Sequence, residues 1–132
     1  MKHLDHIGIA VNNLDDALST YVEVLGLECE GKELVEDQQL KTALLIVGDT
    51  HLELLEPTSH DSNVGRFLEK RGEGIHHLAF YVDDIDKAMD EYKSKGMKFI
   101  DEKPRQGAYG KTIAFMHPKS TNGVLIELVE KK

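Results

Sequence analysis

HIGIAVNNLDDALSTY, at residues 6–21, returns in outline as HLAFYVDDIDKAMDEY at residues 77–92. His6, Val11, Asp15, Ala17 and Tyr21 fall on His77, Val82, Asp86, Ala88 and Tyr92 at one constant offset. A second stretch, THLELLE at 50–56, returns as VLIELVE at 124–130 and lays Glu53 on Glu127. Self-similarity of this kind marks a repeated structural unit and governs how everything else is read. Each half carries one imidazole near its start and one carboxylate near its end.

The local pattern is the same in both halves. Residues 3–11 alternate Ile7, Ile9 and Val11 with His6, Gly8 and Ala10, the period of a strand. Asn12 and Asn13 offer capping oxygens, and Leu14, Ala17, Leu18, Tyr21 and Leu25 follow helical spacing up to Gly26. Strands are expected at 27–35 and 40–47, joined by the polar turn at 36–38, and at 51–55 before Pro57. Residues 58–74 connect the halves through a loop and a short helix bearing Val64, Phe67 and Leu68, closed by Gly72 and Gly74. A strand at 75–82, a helix capped by Asp83 or Asp84 and ended at Gly96, a short strand at 97–100, a loop at 101–110, and strands at 111–116 and 123–130 complete the second half. Each half thus reads as βαβββ, an α+β plan. Residues 1–132 form one domain, with modules at 1–57 and 75–132 around the connection at 58–74.

Bulk composition narrows the function. Over 132 residues the chain is 40% hydrophobic and 30% charged, enough apolar material for a core. Its formal net charge of −8 argues against nucleic acid or an anionic membrane surface as a partner. The single Cys29 excludes an intramolecular disulfide and a cysteine-rich metal site. No apolar run reaches the ~20 residues that span a bilayer, and MKHLDHIGIAV has no long apolar core of a secretion signal. A soluble cytoplasmic protein is expected.

Strand parity gives the candidate site. His6, Gly8 and Ala10 share one face, and the apolar Ile7, Ile9 and Val11 face a helix. His77 and Ala79 lie opposite Leu78, Phe80 and Val82. Glu53 and Glu127 are each flanked by apolar neighbours that point away from them. All four polar side chains therefore leave the helix-covered side. A buried lone carboxylate costs several kcal/mol, and a divalent cation between two of them, completed by neutral imidazoles, removes that cost. His6, Glu53, His77 and Glu127 are the expected metal ligands. His76 has the wrong parity, His51 shares parity with Glu53, His3 and His60 are expected in solvent, and His117 at most edges the pocket.

HIGIAV, HLELLEP, GIHHLAFYVDDI and above all FMHPKSTNGVLIEL at 115–128 resemble the vicinal oxygen chelate superfamily, the glyoxalase/bleomycin-resistance fold, over nearly the whole chain. Within it the likeness is greatest to the methylmalonyl-CoA epimerase family. The resemblance implies paired βαβββ modules forming a cupped mixed sheet around one divalent ion held by His6, Glu53, His77 and Glu127. Co²⁺, Zn²⁺, Ni²⁺, Mn²⁺ and Fe²⁺ all suit two nitrogens and two carboxylate oxygens. It also implies an isomerase with a small-molecule acyl-CoA substrate, working as a homodimer. Its carboxylate and thioester carbonyl would chelate the ion while a base removes the proton between them. Glu127 is the first candidate for that base and Glu53 the second. Lys103, Arg105, Gly107, Gly110 and Lys111 in one loop, with Lys119 and Ser120 in the next, are candidates for contacts to the CoA, and His117 for the pocket edge. Some epimerases carry Gln where Glu53 stands, and Glu there is closer to glyoxalase I. The open alternatives are a glyoxalase I-like isomerase acting on a glutathione hemithioacetal and a non-catalytic ligand-binding protein of the same fold. A fourth ligand speaks against an extradiol dioxygenase.

Overall fold

Residues 3–130 are described by the computed structural model; residues 1, 2, 131 and 132, which the one-domain reading includes, lie outside the described residues. Contacts divide the chain into two units, residues 6–76 and residues 3–5 with 77–130. Strand β1 (His3–Ala10) and strand β5 (Gly74–Val82) each contribute residues to both.

In the first unit, β2 (Glu28–Val35), β3 (Leu40–Val47) and β4 (Thr50–Pro57) follow β1, and the strands lie in the order β2-β3-β4-β1. β1 and β4 are parallel, and the other pairs are antiparallel. Ile9, Val11, Leu14, Ala43, Leu45 and Leu54 build the core between the strands and the first helix. That helix, α1 (Leu14–Leu18), starts where Asn13 Oδ1 accepts from Asp16 N–H at 2.9 Å and Glu56 Oε1 accepts from Leu14 N–H at 2.7 Å. Its continuation departs from the single helix expected. Residues Ser19–Val24 are π-helical, and Leu25 N–H reaches back five residues to Thr20 O. The wider winding rotates Leu25 off the apolar face, leaving it 60% exposed. Helix α2 (Asn63–Arg71) is capped by Ser62, whose Oγ accepts from Gly65 N–H.

The second unit places its strands in the order β5-β8-β7-β6, with β5 and β8 parallel. Helix α3 (Ile85–Ser94) repeats the α1 device: Asp84 Oδ1 accepts from Lys87 N–H, and Glu130 Oε2 accepts from Ile85 N–H at 2.7 Å. Ile85 and Met89 pack on Val82, Ala114, Met116 and Leu128. Residues 97–100 do not form the strand expected there. Phe99 makes an isolated bridge to Met116, and Asp101 Oδ2 takes the Phe115 N–H at 2.8 Å, so a side chain ends the ladder. The strand of that position comes later, as β6 (Arg105–Gln106) inside the expected loop. β7 (Thr112–Met116) and β8 (Ile126–Glu130) close the unit, and residues 123–125, expected in the last strand, lie before β8 instead. The chain is α+β, a βαβββ order repeated.

Candidate metal centre

The same local construction occurs once in each unit. In the first, Gly8 on β1 stands opposite Glu53 on β4, and His6 lies two residues before Gly8 on the same face. In the second, Ala79 on β5 stands opposite Glu127 on β8, and His77 lies two residues before Ala79. Opposing residues in a ladder have the closest β-carbons, so a glycine or an alanine there leaves the carboxylate room to reach the histidine. It does so in both units. His6 Nε2 lies 3.3 Å from Glu53 Oε1, and His77 Nε2 lies 3.0 Å from Glu127 Oε1.

All four residues are buried, with 4–7% of their surface exposed. Burying a carboxylate beside an imidazole costs several kcal/mol in lost hydration. Each pair offers one imidazole nitrogen and one carboxylate oxygen to a cation. An imidazole nitrogen and a carboxylate oxygen are donors that suit a borderline divalent ion. The residues present therefore fit the metal that the sequence implies.

The remaining candidates divide. His76 packs edge-on against Phe67 of α2 at 5.0 Å, on the helix side that its parity assigns. His51 Nε2 lies 3.3 Å from Glu30 Oε1, beside His6 in the β1–β4 ladder but more open to solvent. His3 stacks on Tyr81, His60 is exposed, and His117 Nδ1 accepts from Lys119 N–H. Lys111 is not an open cation: its Nζ donates to Asp5 Oδ2 at 2.9 Å, and Asp5 is 2% exposed. Gly107 N–H donates to Lys111 O, and Ser120 Oγ accepts from Lys98 N–H. Lys103, Gly110 and Lys119 are exposed. Arg105 Nε lies 3.1 Å from Asp101 Oδ1.

Sequence reasoning missed several contributors. Glu56 and Glu130, which anchor the helix starts, stand in the second repeated stretch as plainly as Glu53 and Glu127 do. Phe115, whose ring meets His77 at 5.6 Å and 85°, was legible as the residue on the Glu127 face of the next strand. The Asp5–Lys111 pair has no local signal, because its members lie 106 residues apart.

Residues 5–115 match the model of the Glyoxalase/Bleomycin resistance protein/Dioxygenase superfamily, and the chain belongs to that superfamily. Among its relatives, the uncharacterized protein YqjC of Bacillus subtilis is 48% identical over 100% of this chain and 94% of its own. The ethylmalonyl-CoA/methylmalonyl-CoA epimerase of Cereibacter sphaeroides is 37% identical over 95% of each chain. Among solved structures, a variant of the Streptomyces coelicolor methylmalonyl-CoA epimerase in complex with 2-nitronate-propionyl-CoA aligns with a TM-score of 0.92. It is 41% identical, over 97% of this chain and 96% of that one.

Proposed function

We propose that this chain is a metal-dependent epimerase that interconverts (2R)- and (2S)-methylmalonyl-CoA, with His6, Glu53, His77 and Glu127 as the ligands of one divalent ion. The observation that carries the reading is the duplicated, buried His–Glu pair in a chain this similar to epimerases over its full length. The chain is an enzyme of the isomerase kind, as those relatives are. When bound, a divalent cation supplies Lewis-acid stabilisation of the negative charge that develops on the substrate's oxygens.

The chain's own residues supply the rest. Glu127 Oε1 takes the proton from the carbon between the carboxylate and the thioester carbonyl, and must leave its 3.0 Å contact with His77 to do so. Glu53 is the second carboxylate able to hold that proton and return it. The apolar residues Ala79, Ile113, Val129 and Phe115 beside Glu127 keep bulk water from it. Lys103, Gly110 and Lys119 are the exposed candidates for the CoA phosphates, His117 edges the pocket, and the working form is a homodimer.

The test is racemisation of methylmalonyl-CoA in D₂O with and without added Co²⁺. Deuterium is expected at the α-carbon with the ion and little without it. Glu127→Gln should abolish the exchange while part of the metal remains bound. Absence of exchange by the wild-type, ion-loaded protein sinks the reading. Glu53, the residue found in glyoxalase I patterns, favours a second reading, which methylglyoxal plus glutathione assays directly.

A further inference from the structure

The duplication is broken beside Glu127. In the first unit Glu53 stands opposite Leu44, and the ladder continues through Thr42 to Glu33 on the edge strand. At the equivalent places the second unit has Phe115 opposite Glu127, then Ile113, then Arg105. A leucine and an exposed acid have become an aromatic ring and a cation. The two new residues are in contact, with the Arg105 guanidinium over the Phe115 ring at 5.7 Å. The same ring meets His77 at 5.6 Å, so guanidinium and imidazole lie no more than about 11 Å apart through the ring. Asp101 stands beside both Arg105 and Phe115. Its Oδ1 lies 3.1 Å from Arg105 Nε, and its Oδ2 accepts from Phe115 N–H. Among the described residues neither terminal nitrogen of Arg105 has a protein partner, and the side chain is 37% exposed.

A guanidinium paired with a carboxylate on its Nε side, though with no hydrogen bond from Nε, keeps a planar edge of donors whose geometry matches a second carboxylate. The phosphates of a CoA lie a whole pantetheine arm from the thioester, too far from the His77–Glu127 pair for a cation this near it. The geometry points to Arg105 as a specificity-determining residue that reads the free carboxylate of a malonyl-type acyl group, not the nucleotide phosphates. Asp101 and Phe115 are its positioning residues. The inference rests on the acyl-CoA substrate class proposed above and assigns its recognition within that class.

Calorimetric binding separates it from that reading. Wild type and Arg105→Gln, both loaded with Co²⁺, are titrated with malonyl-CoA, propionyl-CoA and malonyl-pantetheine. Malonyl-CoA and malonyl-pantetheine should each bind about tenfold to a hundredfold more weakly to the variant, while propionyl-CoA changes less than about twofold. Arg105→Lys, which keeps the charge and loses the fork, should fall between, and serves alone if the glutamine variant does not fold. Equal loss for the two CoA thioesters with malonyl-pantetheine unaffected assigns Arg105 to the phosphates and overturns the proposal. Loss with none of the three ligands overturns it as well. A wild type that discriminates malonyl-CoA through Arg105 but shows no α-exchange supports this proposal while ending the epimerase reading.

Discussion

Glu53 and Glu127 stand in the same geometry, and the repeat makes them comparable experiments. Each is buried, faces one imidazole within 3.3 Å, and stands opposite a residue of one carbon or none in its side chain. Glu53→Gln and Glu127→Gln keep the shape and remove the charge. Each should weaken Co²⁺ binding by at least the 10–100-fold that follows the loss of a residue merely supporting a ligand, measured by titration of the metal-free protein. Gly65 is a different kind of singular residue. A β-carbon there would run into Ser59 O and lie 2.8 Å from His60 O, both backbone atoms. Gly65→Ala should lower the thermal midpoint by several degrees without changing metal affinity, read by calorimetry and titration. The metal candidates were legible in the sequence because duplication wrote them twice. Asp5 and Lys111 were not, because a pair joined only by the tertiary fold leaves no periodic trace.

At the level of elements, helix starts depend on strand ends. Glu56 and Glu130, each three residues beyond a candidate metal ligand, accept the first N–H of α1 and α3. A carboxylate at a helix N-terminus satisfies an orphan donor and meets the positive end of the dipole. Glu130→Gln should cost about 1 kcal/mol and a few degrees in the thermal midpoint, and Glu56→Gln about the same. Both should retain Co²⁺ affinity, which tells this role apart from that of Glu53 and Glu127. The strands with strong alternation and the helices with paired caps were legible. The π-helical turn was not, because Leu25 keeps α-helical spacing in the sequence while the backbone winds wider. Nor was β6, because two residues carry no period, and the ladder before it is ended by the side chain of Asp101.

For the whole molecule, a divalent ion bound as proposed would meet two carboxylates in a chain of net charge −8 and would stabilise the fold as well as serve the chemistry. Co²⁺ at a hundredfold excess over its dissociation constant should add about 2.7 kcal/mol to stability, seen as a rise in the thermal midpoint that a chelator reverses. That rise should vanish in the Glu53→Gln/Glu127→Gln double variant. Among the described residues no helix is long and apolar enough to cross a membrane. The repeat invites the idea that the gene could be cut at its internal boundary into two self-sufficient pieces. The grouping of residues 3–5 with 77–130 says otherwise. A fragment beginning at residue 74 would strand the Lys111 ammonium, only 14% exposed, without its counter-ion. Leaving a buried charge uncompensated costs about 3–5 kcal/mol, a large part of what a module that small can muster. Such a half should stay unstructured by circular dichroism until a peptide carrying Asp5 is supplied in trans.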